Sequence, residues 1–216
     1  MIGLVENLNI NKKDVVMSSI PRSGSTVSWQ VIQMGSLERV DKYHSYIGGN
    51  SHVIYNIRHP KDIFLSLARI RQDHSEHIRD HDSILREMEK CCDDYERFIY
   101  DYKNGRPVCI LRYEDWYGDV SKLIREISDF MSLEWTDSQI LEVSRHCNIE
   151  SNMNRAKGYK SFKQVEHTSH IHGDHIGPDI GRVNGWKSKP YSFNMLDQQI
   201  IDRIELLCER FGYQND

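Results

Sequence analysis

The feature that most constrains how this chain can fold is a short apolar run that leads through a glycine- and serine-containing loop into a helical stretch. The run is DVVMSSI at residues 14–20, and Pro21 ends it. Ser25 and Thr26 suit the start of a helix, which we expect to continue to about Met34. A buried strand, a tight loop and a helix in this order predict the first unit of an α/β fold.

Strands and helices continue to alternate along the rest of the chain. Apolar runs predict strands at 53–58 and 107–111. A helix with Pro60 in its first turn is predicted directly after the second strand. Periodic apolar residues predict four further helices, at 83–103, 123–131, 136–147 and 196–211. We therefore predict an α/β fold with a parallel β-sheet flanked by helices, whose binding crevice lies at the carboxyl ends of the strands. With 216 residues, the chain has the size of a single domain, 1–216.

Two segments stand out from this alternation. The helix at 83–103 has the clearest period, with a stripe that we expect to face the core rather than a coiled-coil partner. The stripe consists of Ile84, Met88, Cys91, Tyr95, Phe98 and Tyr102. The stretch 148–194 is polar, rich in His, Gly, Lys and Asn, and has no strong period. A connection of this length in a compact domain predicts a lid over a site.

Composition excludes several classes of protein. A hydrophobic fraction of 38% with 28% charged residues is typical of a globular chain, and a net charge of −4 argues against a nucleic-acid partner. No apolar run has the length of a signal peptide or a membrane span, so no membrane partner is expected. The five cysteines form no CxxC pair, which predicts reduced thiols and a cytoplasmic location.

The loop between the first strand and the first helix has the composition of an anion site. Gly24 allows a ligand to approach the backbone, and Arg22 adds a fixed cation. Hydroxyl groups that can donate to an anion come from Ser23, Ser25 and Thr26. The alternative is a capped helix after a tight turn. The loop lacks the GK[ST] of nucleoside-triphosphatases, and a terminal phosphate could bind it without an obligatory metal.

A second anion site is predicted at the end of the second strand. Arg58 ends that strand, and Ser66 lies two turns into the helix that follows. Both side chains can turn toward the crevice that holds the first loop. Two anion sites at adjacent strand ends suit a ligand with separated phosphates. The alternative, which this segment taken alone favours, is a surface arginine and an ordinary helical serine.

Four segments together resemble the sulfotransferases that use 3′-phosphoadenosine 5′-phosphosulfate (PAPS). Residues 21–26, PRSGST, are similar to the family's 5′-phosphosulfate loop, commonly P-K/R-S-G-T/S-T/S. Residues 58–66 are similar to the 3′-phosphate motif, R-x-P-x-D followed by Ser. Residues 111–115, LRYED, and 181–187, GRVNGWK, are similar to the family's YED and G-x-x-G-x-W-K/R segments. The four occur in the family's order.

The resemblance implies roles for the residues that match. The 5′-phosphosulfate would bind Ser23, Gly24, Ser25 and Thr26, while Arg22 would stabilise charge on the oxygen between phosphorus and sulfur. Arg58 and Ser66 would bind the 3′-phosphate, and Tyr113 would contact the adenine. The segment Lys42-Tyr43-His44 matches the family's K-x-H, which implies His44 as the catalytic base with Lys42 beside it.

Two positions depart from the family pattern. Val27 stands where an aromatic residue often stacks on adenine. Asp179 and Ile180 replace a basic pair before Gly181, so Arg182 is the candidate substitute at the 3′-phosphate.

The resemblance implies direct in-line transfer of a sulfuryl group from PAPS to an acceptor hydroxyl or amine, with no metal required. A nucleotide-dependent kinase and a non-catalytic nucleotide-binding module are the alternatives. The sequence leaves open whether the acceptor is a small molecule or a carbohydrate, and whether the protein is a homo-oligomer. Two histidine groups have metal-ligand spacing but no HExxH or CxxC motif, which favours other roles. They are His74, His77 and His81, and His167, His170, His172 and His175.

Overall fold

The strands form a four-stranded parallel sheet in the order β2-β1-β3-β4. The computed structural model describes residues 15–35, 40–73, 80–159, 165–166, 171–172, 186 and 196–214. The strands of the sheet are β1 (Val15–Ser19), β2 (Lys42–Tyr43), β3 (His52–Ile57) and β4 (Val108–Arg112). The predicted fold class is confirmed. Strand β2, which has only two residues, was not predicted from the sequence.

Helices pack on both faces of the sheet. The first four are α1 (Ser25–Gly35), α2 (Pro60–Asp73), α3 (His81–Lys103) and α4 (Tyr113–Trp116). The others are α5 (Val120–Met131), α6 (Asp137–Cys147), α7 (Ile149–Ala156) and, near the C-terminus, α8 (Gln198–Arg210). A short antiparallel pair, β5 (Val165–Glu166) with β6 (Ile171–His172), lies apart from the main sheet. The predicted strands and helices are found within a few residues of their expected bounds.

The alternating side chains of the sheet supply two hydrophobic cores. Met17 and Ile54 pack on one face with residues of α1, α5 and α6. Tyr55 and Ile57 pack on the other face with residues of α2, α3 and α8. Because both faces are covered, the carboxyl ends of the strands are left as the place for a ligand.

The predicted buried stripe of α3 is confirmed except at its last residue. Its other five members are buried, but Tyr102 is 60% exposed. Helix α8 runs alongside α3 and ends at Arg210, which pairs with Asp93 and Glu96. The last two turns of α3 extend past that end, so Tyr102 has no α8 surface to cover it.

The stretch 148–194 does not begin as an irregular segment. Residues Ile149–Ala156 form α7, capped by the Asn148 side chain, which accepts a hydrogen bond from the Ser151 amide at 2.7 Å. Buried Asn152 exchanges two amide hydrogen bonds with Gln30 of α1, at 3.2 and 3.0 Å. A polar pair therefore fixes this helix, which explains why no apolar period marked it. Most of the rest of the stretch lies outside the described residues, and its role as a lid stays a prediction.

Two further properties were expected from composition. No described helix is long and apolar enough to cross a membrane. All five cysteines are free, and four of them are buried: Cys91, Cys92, Cys147 and Cys208, with Cys109 half-buried.

Candidate active site

The loop after β1 has a tight conformation that only glycine can complete. Arg22 and Gly24 both have left-handed backbone angles, with φ of 69° and 79°. Ser23 closes the turn, because its hydroxyl donates to the Ile20 carbonyl at 2.7 Å. A Cβ atom on Gly24 would lie 2.4 Å from the Tyr113 ring, a separation that real Cβ atoms do not reach. The loop thus leads into the N-terminus of α1 at the carboxyl end of β1, where backbone N–H groups favour an anion.

The two predicted anion sites are joined by direct hydrogen bonds. Nε of Arg22 donates to the Ser66 hydroxyl at 3.0 Å. The carbonyl of Arg22 accepts from a guanidinium nitrogen of Arg58 at 3.1 Å. Arg22 therefore meets Ser66, 44 positions away in sequence, and Arg58, 36 positions away, in one crevice. Their placement at adjacent strand ends predicted this meeting.

Arg58 is held rigidly at the end of β3. It is only 7% exposed, and its guanidinium lies 4.6 Å from the centre of the Tyr113 ring. Asp62, one turn into α2, lies 3.7 Å from the guanidinium and also accepts a hydrogen bond from the Trp186 amide at 3.1 Å. Trp186, which belongs to the GRVNGWK segment, therefore docks beside Arg58.

Lys42 brings a third cation to the same edge of the sheet. It lies in β2 next to β1, and its Nζ donates to the Thr26 hydroxyl at 3.4 Å. Burial, together with the nearby charge of Arg22, lowers the pKa of the Lys42 amine to about 8. Three basic side chains, Arg22, Lys42 and Arg58, thus surround the loop, and an anionic ligand would relieve their mutual repulsion.

His44 is bonded to the end of β1 through one of its ring nitrogens. Its Nδ1 lies 3.0 Å from the Ser19 carbonyl, which can only accept, so Nδ1 carries the proton and donates. The basic lone pair is then on Nε2. Burial lowers the pKa of the imidazole, and the Ser19 hydrogen bond and the charge of Glu87 only partly oppose this. The ring is therefore neutral at neutral pH, the state that a general base needs.

Some of the predicted residues cannot be placed. Gly181 and Arg182 lie outside the described residues, as do most of the two histidine groups. Of those histidines, His81 starts α3 and packs 5.4 Å from the Phe64 ring. Within the described part of the chain, no group of three or more His, Cys, Asp or Glu side chains could hold a metal ion.

Three residues at the site were not singled out from the sequence. Glu114 was quoted only as part of a motif, and Trp186 likewise, while Tyr213 had no motif at all. The structure places all three around His59, the residue after Arg58: Glu114 bonds its backbone, and both aromatic rings pack against its side chain. The available signals were the YED segment for Glu114 and the G-x-x-G-x-W-K/R segment for Trp186.

The comparisons with known proteins agree with this geometry. The sulfotransferase domain family model matches residues 43–210, more than three quarters of the chain, and the chain belongs to the PAPS-dependent sulfotransferase family. The matched range contains His44, Arg58, Ser66 and Tyr113, and the loop at 21–26 precedes it. A search of curated protein sequences finds no significant match.

Solved structures with a similar fold include a sulfotransferase and retinol dehydratase. Mouse sulfotransferase SULT7A1, complexed with 3′-phosphoadenosine 5′-phosphate (PAP), has a TM-score of 0.63 and 16% identity, covering 94% of this chain and 86% of its own. Retinol dehydratase with androsterone and the inactive cofactor PAP has a TM-score of 0.61 and 12% identity, covering 94% and 82%. Retinol dehydratase with retinol and PAP has a TM-score of 0.59 and 13% identity, and the match covers 94% of this chain and 82% of its own.

Family membership confirms the activity class that the motifs predicted. The protein is a sulfotransferase with PAPS as its co-substrate, and neither the kinase nor the non-catalytic module is favoured.

Proposed function

We propose that this enzyme binds PAPS across the carboxyl ends of β1, β2 and β3 and transfers its sulfuryl group directly to an acceptor hydroxyl or amine. The observation that carries the proposal is the convergence of Arg22, Lys42, Arg58 and His44 on one crevice, with the two anion-binding segments hydrogen-bonded to each other. This set of donors and cations suits a ligand with two separated anionic groups.

The 3′-phosphate is assigned to Arg58 and Ser66. The guanidinium of Arg58 is fixed by Tyr113 and the Arg22 carbonyl, so it meets a phosphate without losing side-chain freedom on binding. The docking of Trp186 on Asp62 supports the placement of Arg182, four residues earlier, as a further cation for this phosphate.

The 5′-phosphosulfate is assigned to the loop amides and hydroxyls of Ser23, Gly24, Ser25 and Thr26. In the transfer step the bond between sulfur and the bridging oxygen breaks, and negative charge collects on the departing phosphate. Arg22 and Lys42 lie where they can stabilise that charge, which is the interaction most valuable in group transfer. The adenine contact expected of Tyr113 stays a prediction, since its buried ring packs against Gly24 and Arg58.

His44 is assigned as the base. Its Nε2 takes the proton of the acceptor group as the acceptor atom forms its bond to sulfur, while Ser19 holds Nδ1–H and so fixes the tautomer. Holding donor and acceptor in line supplies much of the acceleration.

The acceptor is proposed to be a small molecule or a carbohydrate. Retinol dehydratase, of similar fold, has been crystallised with androsterone and with retinol, both small molecules. We also propose a cytoplasmic enzyme, because its five cysteines are free. A homo-oligomer stays a prediction without a structural test.

Donor binding should weaken as the pH rises through about 8. The Lys42 amine loses its charge above that pH in the free enzyme, whereas a bound anion would raise the pKa and keep it protonated. Because the complex then holds more protons than the free enzyme, affinity for PAP should fall about tenfold between pH 7 and pH 9. Calorimetric titrations across this range check it. Lys42→Arg, which stays charged, should remove the decline, and an equal decline in that variant would contradict the assignment.

The proposed function is tested by the melting temperature with PAP, using AMP and ATP–Mg²⁺ as controls. A ligand at a hundred times its dissociation constant adds about 2.7 kcal/mol of stability, which shifts the melting temperature by several degrees. We expect a shift with PAP that clearly exceeds the shift with AMP. A response to ATP–Mg²⁺ alone would reject the proposal in favour of a kinase.

A further inference from the structure

Glu114 ties together three distant parts of the chain beside the proposed 3′-phosphate site. It is the second residue of α4, directly after Tyr113. One carboxylate oxygen accepts the backbone N–H of His59 at 2.8 Å, and the other accepts the Tyr213 hydroxyl at 2.9 Å. Both oxygens are therefore used, by partners 55 and 99 positions away in sequence.

The first of these bonds completes the start of α2. His59 precedes Pro60, the first helical residue, and its carbonyl and ring Nδ1 accept backbone N–H groups of that first turn. In a capping box, the side chain at the third helical position returns to bond the N–H of the cap residue. Here that position is Asp62, which instead pairs with Arg58 and the Trp186 amide. Glu114 takes its place from another helix.

The second bond brings the C-terminal segment into the same unit. The Tyr213 ring lies 4.9 Å from the His59 ring and 4.7 Å from the Arg112 guanidinium. Arg112 also donates to the Phe211 carbonyl at 3.2 Å, which fixes the segment against the end of β4. Burial and the neighbouring Glu114 raise the pKa of Tyr213, so its hydroxyl stays protonated and donates.

We propose that Glu114 is a positioning residue for recognition of the 3′-phosphate of the donor, and that Tyr213 orients its carboxylate. This inference rests on the proposed function, and neither side chain is assigned a contact with the nucleotide. Glu114 acts through His59, whose neighbour Arg58 holds its guanidinium on the Tyr113 ring and the Arg22 carbonyl. Releasing the His59 amide shifts the backbone at Arg58 and moves the guanidinium off the phosphate position.

The variant that tests the bond is Glu114→Leu, which keeps the volume but accepts no hydrogen bond. We expect PAP to bind about tenfold more weakly, as for the loss of one hydrogen bond to a charged group. AMP, which lacks the 3′-phosphate, should bind within about twofold of wild type. With saturating PAPS, kcat should change less than about twofold, since His44 and the loop are untouched.

Conservative variants separate positioning from general damage. Glu114→Gln keeps an oxygen for the His59 amide and should recover most of the PAP affinity. Tyr213→Phe removes the hydroxyl that bonds Glu114 and should also weaken PAP binding. The same substitution should have a smaller effect when it is made in Glu114→Leu, where that bond is already lost. Asp115→Asn and Tyr117→Phe, exposed neighbours of the same types, are the matched controls and should bind PAP as wild type does.

Each outcome bears on a distinct claim. If wild type does not prefer PAP to AMP, the proposed function fails and this inference fails with it. If wild type prefers PAP but Glu114→Leu loses PAP and AMP affinity equally, or neither, only the positioning role is overturned. A large fall in melting temperature in Glu114→Leu leaves Tyr213→Phe as the decisive variant, and unchanged PAP affinity there would reject the proposal.

Discussion

His44→Ala should reduce kcat by about 10²–10⁴-fold while PAP binds with wild-type affinity. General-base catalysis by a positioned side chain contributes an acceleration of this size, and the His44 imidazole is bonded at the carboxyl end of β1. Affinity should be preserved because His44 bonds Ser19 of the sheet rather than the loop or Arg58. Single-turnover rates with PAPS and a suitable acceptor, beside titrations with PAP, measure the two effects separately.

A second substitution distinguishes a base from a positioning role. His44→Asn places an amide N–H where Nδ1–H donates to the Ser19 carbonyl but has no basic nitrogen, so it should be as slow as His44→Ala. Recovery of turnover in His44→Asn would show that the bond to Ser19, and not proton transfer, is what matters. His146→Ala, an exposed histidine at the end of α6, is the control and should turn over normally.

The pH profile gives an independent check on the same residue. His44 has a pKa below its ordinary value of 6.5, so its basic form persists to lower pH than that of a free imidazole. The acidic limb of kcat/KM in wild type, which reports the free enzyme, should therefore have its midpoint below pH 6.5, and the His44→Ala profile should lack this limb.

The sheet and the contact between the two predicted anion-binding segments could be predicted because their signals are local. The run at 14–20, the Gly24 turn and the start of α1 at Ser25 lie within twelve residues, so the signals for strand, turn and helix are all present in one short segment. Arg58 and Ser66 could be placed because parallel strands end at one edge, so strand order alone brought them to Arg22.

The parts that were missed depend on contacts between distant residues. Strand β2 exists because Lys42 and Tyr43 add to the edge of β1, and α7 because Asn152 pairs with Gln30 across 122 positions. Tyr102 has the correct period but lies beyond the end of α8. In each case tertiary contacts decided the structure, and a single sequence does not show them.

The unit around His59 is the clearest case of this kind. A histidine that caps its own helix, a carboxylate from α4 and a tyrosine near the C-terminus have no motif in common. Yet they surround the residue next to Arg58, the strongest candidate for the 3′-phosphate. If Arg58 binds that phosphate as proposed, its recognition depends on long-range packing as well as on the R-x-P-x-D motif itself.

Arg58→Ala should cause the largest loss of the preference for PAP over AMP. Removing one partner of a buried, hydrogen-bonded charge pair costs about 2–5 kcal/mol, so PAP affinity should fall at least about 30-fold. AMP affinity should change little, and the ratio between the two nucleotides should approach one. The loss should appear in KM for PAPS, with kcat at saturation nearly unchanged, in contrast to His44→Ala.

The same substitution also tests the structural role of the arginine. Without the Arg58 guanidinium, Asp62 loses a cationic partner and the Arg22 carbonyl loses a donor. The free energy of unfolding of Arg58→Ala, measured with urea, should therefore fall by about 3 kcal/mol. Arg58→Lys should recover part of this stability but little of the preference for PAP over AMP, because an ammonium group lacks the planar, two-pronged donor geometry of a guanidinium. Arg125→Ala removes an exposed partner of Asp137 and should change neither quantity. If Arg58→Ala retains the preference for PAP over AMP, the 3′-phosphate is recognised elsewhere in the chain, and Arg182 becomes the residue to replace next.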